Sequence, residues 1–111
     1  MEKTIVGIIE DVTLIGKNKR QTFKAKIDTG ATRSSMDLKI ATDLKLELTE
    51  TVTIKSAEGS STRGIVMAKV IISGRELEAE FTIANRSKMS CPVLIGRNIL
   101  KENFLVDPSR E

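Results

Sequence analysis

Apolar and polar residues alternate along most of this chain, and alternation of period two marks a strand with one face buried. In residues 21–27, QTFKAKI, Phe23, Ala25 and Ile27 share one face, with Lys24 and Lys26 on the other. Residues 76–84, ELEAEFTIA, set Leu77, Ala79, Phe81 and Ile83 against Glu76, Glu78, Glu80 and Thr82. Residues 51–55, TVTIK, repeat the pattern through Val52 and Ile54. Further strands are predicted at 4–9 (TIVGII), 12–15 (VTLI), 63–72 (RGIVMAKVII) and 103–108 (NFLVDP). The run VLIG at 93–96 is apolar throughout, as in a strand covered on both faces. Turns at 16–20 (GKNKR), 56–62 (SAEGSST) and 73–74 (SG), and a loop at 85–92 (NRSKMSCP), separate these runs. The period changes at 36–46, MDLKIATDLKL, where Met36, Ile40, Ala41 and Leu44 form a helical stripe with Ser35 as N-cap and Asp37 in the first turn. RNILK, 97–101, has room for one helical turn. The pattern predicts an all-β domain with one α-helix at about 36–46, and residues 1–111 as a single domain.

Composition narrows the function. A chain of 111 residues matches one small domain and buries a modest core, which an oligomer interface would enlarge. The net charge of +3 favours acidic partners only weakly. Three Phe and no Trp or Tyr leave little for bases to stack on, so nucleic acid is not expected as a partner. One cysteine, Cys91, and no histidine exclude an intrachain disulfide, argue against zinc and rule out histidine-based catalysis. No metal or cofactor is expected, and Cys91 reads as a small buried hydrophobe. No run approaches the roughly 20 apolar residues of a membrane span, and the first residues lack the pattern of a signal peptide, so the expected location is the cytoplasm.

The chemistry concentrates where the strand at 21–27 runs into Asp28-Thr29-Gly30-Ala31. A carboxylate at a strand end beside glycine can sit in a sharp turn with backbone N–H groups aimed at it. An Asp-Gly turn stabilised by its own side chain would look the same, and Asp28 is the one aspartate that precedes Thr-Gly. The second signal is VLIGRN at 93–98, a doubly apolar run ending in glycine and followed by Arg-Asn.

With DTGA first, a hairpin in the middle and the glycine segment late, the chain resembles the retropepsin-like aspartic proteases. KIDTGA, RSKM with PVLIGR after it, and FLVDPS resemble, more closely, the bacterial and archaeal group that carries the label ATP-dependent zinc protease and includes enzymes that trim glutamate tails added by a RimK-like ligase. That label does not suit these residues, which offer neither zinc ligands nor a phosphate-binding GxxxxGK[ST] loop. The chain also departs from the group, with Ala31-Thr32-Arg33-Ser34 where many members read Ala-Arg-Thr-Ser, and Cys91 where an aromatic often precedes the proline.

The resemblance implies a small closed barrel, with Asp28 as catalytic carboxylate, Thr29 bracing the loop across a dimer axis and Gly30 allowing close backbone approach. Peptide hydrolysis by carboxylates needs a base for water and an acid for the carbonyl, and two carboxylates sharing a proton supply both. One chain holds one such carboxylate, so catalysis at Asp28 predicts a homodimer. Ala31, where a serine would stabilise the charged form, predicts activity nearer neutral pH. The turn around Ala57, Glu58, Gly59 and Ser60 is the candidate flap, and Lys26, Arg33, Arg63 and Arg86 the candidate cations for a peptide or acidic, oligoglutamate-like substrate. Arg97, next to the glycine segment, is expected in a structural ion pair, within the chain or at the dimer interface. A non-catalytic dimer of the same fold, binding a peptide or protein partner through its cleft, is the alternative expectation.

Overall fold

The computed structural model describes residues 2–111. Strands β2 (Ile9–Ile15), β3 (Arg20–Ile27), β4 (Ser34–Asp37), β6 (Gly59–Ile72), β7 (Arg75–Ala84) and β8 (Val93–Ile95) form a closed ring in the order β2-β3-β8-β4-β7-β6, and β6 returns to β2 through Val12↔Ile72 to Ile15↔Lys69. Closure leaves these strands no open edge within the ring. Strand β5 (Leu48–Ser56) lies outside it, paired with the first half of β6 as a long hairpin. A separate parallel pair joins β1 (Thr4–Val6) to β9 (Phe104–Val106).

The side-chain alternation read from the sequence sorts the barrel into inside and outside. Val12 and Leu14, Ala25 and Ile27, Val66, Ala68, Val70 and Ile72, Phe81, and Val93 and Ile95 all point into the core. Helix α1 (Leu38–Asp43) adds Ile40 and Ala41, and α2 (Arg97–Leu100) adds Ile99 and Leu100. The ends of the chain are stitched to the barrel: the Ile8 N–H donates to the Arg110 carbonyl at 2.9 Å, and the Ile27 N–H to the Ile8 carbonyl at 2.9 Å. Gly7 passes so close to Arg110 that an added Cβ would lie 2.6 Å from its carbonyl oxygen. In the closing turn the Ser109 hydroxyl, and then its N–H, hold the Asp107 carboxyl below the usual aspartate range.

Several boundaries differ from the sequence reading. The segment expected to be helical at 36–46 divides into strand and helix. Ser34–Asp37 is β4, wedged between β7 and β8, and α1 begins only at Leu38. The N-cap is therefore Asp37, whose carboxylate accepts from the Lys39 N–H at 3.2 Å, and not Ser35. Met36 does face the core, but from a strand. The expected turn at 56–62 contracts to Ala57–Glu58, because β5 and β6 stay paired out to Ser56↔Gly59. The run at 4–9 breaks at Gly7–Ile8, where the chain leaves β1 for β2.

Phe81 is fully buried at the centre of this core. Phe81→Ala is expected to destabilise the protein by about 3–5 kcal/mol, read as a lower urea midpoint at unchanged slope.

Candidate active site

Strand β8 lies between β3 and β4, parallel to the first and antiparallel to the second. The connection from β3 to β4, residues 28–33, must therefore arch over the end of β8. Asp28 stands where β3 leaves the sheet, its N–H still donating to the Ile95 carbonyl at 2.9 Å. One carboxylate oxygen accepts from the Gly30 N–H at 2.9 Å, and the Ala31 N–H donates to the Asp28 carbonyl at 3.2 Å. Asp28 is half-buried, and Thr29 and Gly30 are exposed. The arch thus presents a carboxylate to solvent on a turn closed by its own backbone.

The glycine ending VLIG is what lets the arch come down. A Cβ on Gly96 would sit 2.4 Å from the Arg33 carbonyl oxygen and 2.9 Å from that of Ala31. Beneath the arch, the Gly96 N–H donates to the buried Ser34 hydroxyl at 2.9 Å, which donates to Asn98 Oδ1 at 2.7 Å. Asn98 Nδ2 donates onward to the Glu80 carbonyl at 3.0 Å. Among the described residues no buried side-chain nitrogen or oxygen lacks a partner.

Arg97 clamps the outer side. Its guanidinium donates to the Thr29 carbonyl at 2.8 Å and to Thr32 Oγ1 at 2.9 Å, and its backbone N–H donates to the Ala31 carbonyl at 2.8 Å. Within the chain these contacts are not an ion pair: both side-chain acceptors are neutral oxygens on the arch. A carboxylate at residue 32 would have made one, and threonine stands there instead.

The other sequence-predicted residues fall in three places. Lys26, Ala31 and Arg33 lie on or beside the arch, with Lys26 and Arg33 exposed. Ala57, Glu58, Gly59 and Ser60 form the exposed tip of the β5–β6 hairpin, where Gly59 takes φ +121°, a conformation that favours glycine. Arg63 lies on β6 in the hairpin, and Arg86 in the loop after β7. Arg63 lines a groove of about 690 Å³ that opens between β6, α1 and the end of β7, and that Asp28 does not line. Arg86 is engaged in its own loop, its backbone N–H donating to the Asp37 carboxylate at 2.7 Å and its Nε to the Cys91 carbonyl at 3.1 Å. Cys91 is buried, as expected. Asn98 closes the VLIGRN motif but, like Ser34, was given no role from sequence. Their signal is a serine at an inward position of β4, visible only once that strand is recognised.

A closed six-stranded barrel with a carboxylate-bearing arch held over a glycine is the retropepsin-like fold. The family model of the retropepsin-like aspartic endopeptidase RimB matches residues 35–111, and the chain belongs to this RimB-like family. The matched span begins just after the arch, so Asp28 lies outside it. The fold is shared with a Legionella pneumophila protein of unknown function, at TM-score 0.68 and 23% identity over 96% of this chain and 94% of that one. It is shared as well with the protease of simian foamy virus, at TM-score 0.63 and 19% identity over 84% of this chain and 91% of the viral one. EIAV protease, solved with an inhibitor, gives TM-score 0.63 and 18% identity over 85% of each chain. A protein of Shewanella pealeana named "Probable alpha-L-glutamate ligase" is 42% identical over 57 residues, which are 50% of this chain and 12% of that protein. A protein of the same name from Shewanella halifaxensis is 40% identical over 57 residues. This chain thus spans about one eighth of the length of the ligases it matches. Among the described residues no helix is long and apolar enough to cross a membrane.

Ser34→Ala strands the buried Gly96 N–H and removes the donor to Asn98. It is expected to cost about 1–3 kcal/mol in chemical denaturation, more than an exposed Ser87→Ala control.

Proposed function

We propose that this chain is an aspartic endopeptidase that works as a homodimer, with the Asp28 carboxylates of two copies facing each other across a twofold axis. The observation that carries this reading is the arch: a solvent-facing carboxylate at a strand end, fixed by the Gly30 N–H and clamped by Arg97, in a chain of the RimB-like family. One Asp28 takes a proton from water. The resulting hydroxide attacks the peptide carbonyl carbon while the second Asp28, protonated, gives its proton to the carbonyl oxygen. In the second step the carboxyl that received the water proton passes it to the leaving nitrogen as the C–N bond breaks, while the other carboxylate takes a proton from one hydroxyl of the intermediate, which leaves the product acid and restores the starting pair. Thr29, exposed beside Asp28, braces its twin in the partner copy on this reading.

Self-association has a second support. Ile5 and Leu105 are register partners on the β1–β9 pair and both are exposed, at 48% and 53%, giving an apolar face outside the barrel that a second copy can cover. The substrate is a peptide. An acidic one, such as a glutamate tail, is favoured by the exposed Lys26 and Arg33 near the arch and by the partial match to proteins named as glutamate ligases. The β5–β6 hairpin, whose tip is small and polar at Gly59 and Ser60, serves as the cover that closes over it.

Asp28→Asn is expected to lower peptide turnover by about 10²–10⁴-fold without lowering the thermal midpoint, and specific activity of the wild type should rise with protein concentration as dimers form. If the wild type shows no cleavage that the asparagine variant lacks, across varied substrates and pH, the peptidase reading fails and a non-catalytic binding dimer takes its place.

A further inference from the structure

Where β7 parts from β6, two strand edges are left facing an open groove of about 690 Å³. Beyond Ile65↔Thr82 no strand pairs with the β7 side of β6, and Thr62, Arg63 and Gly64 pair with β5 alone. On the other prong, Ile83 and Ala84 pair with Met36 and Asp37 of β4, and no strand takes their β6 side. An open strand edge is a template for another strand. The groove is apolar at Leu38, Gly64, Ile83 and Ala84. Leu38 is 59% exposed, and Leu48, 62% exposed, lies across Gly64, where an added Cβ would meet its Cδ1 at 2.4 Å. Single exposed leucines need no explanation, but two flanking one groove mark a contact surface. The charges here are settled with one exception. The Asp37 carboxylate accepts from the Lys39 and Arg86 N–H groups, and the Lys39 ammonium pairs with Asp43 at 3.5 Å. The Arg63 guanidinium has no hydrogen-bond or ion-pair partner among the described residues.

We propose that this fork is a docking site for an extended segment of another protein, which adds to the free edge of β6 as a strand. Its apolar side chains lie on Leu38 and Ile83, and one carboxylate meets Arg63. The features of the groove choose this occupant. The open edge asks for backbone donors and acceptors in an extended chain, as in other cases of strand addition. The leucines ask for apolar side chains. The unpaired guanidinium asks for a carboxylate, which it holds by two parallel hydrogen bonds. Asp28 does not line the groove, so the segment is a partner held apart from the arch and not the peptide presented to it. Docking also stiffens the hairpin, because a third strand at its root turns a two-stranded ribbon into a small sheet.

The test measures binding to the full chain carrying Asp28→Asn, so the result stands whether or not the chain is a peptidase. The probes are N-acetylated, C-amidated hexapeptides that alternate valine with leucine or threonine and carry one glutamate, placed at each position in turn. Matched sets carry glutamine in its place, or N-methyl groups on alternate backbone amides. Binding is read from amide NMR shifts and hydrogen exchange. The expected result is saturable shifts at residues 62–64 and 83–84, with exchange slowed along β6. Affinity should fall roughly tenfold with glutamine, with Arg63→Met and with Leu38→Ser, vanish on N-methylation, and hold in Met67→Ser, an exposed position of β6 outside the groove. Failure of every probe to saturate at millimolar concentration overturns the proposal, as does equal binding of the N-methylated set. Shifts centred on residues 28–31 also overturn it, since the peptides then bind only at the arch. So do the same groove shifts appearing without peptide as the chain is concentrated, since a second copy then covers the groove.

Discussion

The placing of β8 between β3 and β4 is the constraint on which the rest of the structure depends. Two consecutive strands separated by a third must be joined over that third strand's end, and the crossing has to be close because six residues span it. Gly96 is the point of contact. The Arg33 and Ala31 carbonyls occupy the space where any side chain would begin. An alanine there would push the arch outward, taking the Asp28 carboxylate with it. Below the contact, the hydrogen bonds from Gly96 through Ser34 and Asn98 to Glu80 tie β8, β4, α2 and β7 into one support. A carboxylate on a loop is ordinarily mobile, and this one is held from below by packing and from outside by Arg97.

This arrangement explains a division of labour within GRN at 96–98. Gly96 lets the arch approach, Arg97 grips its outer carbonyl and hydroxyl, and Asn98 completes the buried network. None of the three touches the carboxylate. Together they hold the arch, and with it the carboxylate, in one geometry. Because Arg97 reaches neutral oxygens, its hold on the arch involves no titrating partner.

The hairpin and the arch are built by opposite principles. The arch is rigid because each of its turns is bonded to the barrel. The outer half of β6 pairs only with β5, since β7 leaves β6 beyond Ile65↔Thr82 to run beside β4. The groove lined by Thr62, Arg63, Gly64, Ile83 and Ala84 is the fork opened by that departure. A two-stranded ribbon anchored at one end bends more readily than the ring it grows from, which suits a cover over a cleft.

Strand alternation at 21–27 and 76–84 was legible because one face of each segment meets the core and the other meets water, and that contrast is written locally. DTGA and VLIG stood out locally, as a carboxylate at a strand end and a glycine after a fully apolar run, and the resemblance to the retropepsin-like proteases joined the two. What the local pattern could not decide was residues 34–37. Ser34, Ser35, Met36 and Asp37 have no strand alternation of their own and joined smoothly onto a helical stripe. They become a strand because β7 and β8 offer unpaired edges on either side, and the backbone hydrogen bonds gained there outweigh local preference. The partner of Arg97 was undecidable in the same way, since a guanidinium takes whichever oxygens the fold brings to it. The sequence by itself determined which side chains seek the core and where a carboxylate meets a glycine turn at a strand end. Which strands became neighbours, and therefore what holds Asp28 in place, was settled only when the barrel closed, because that pairing joins residues far apart along the chain.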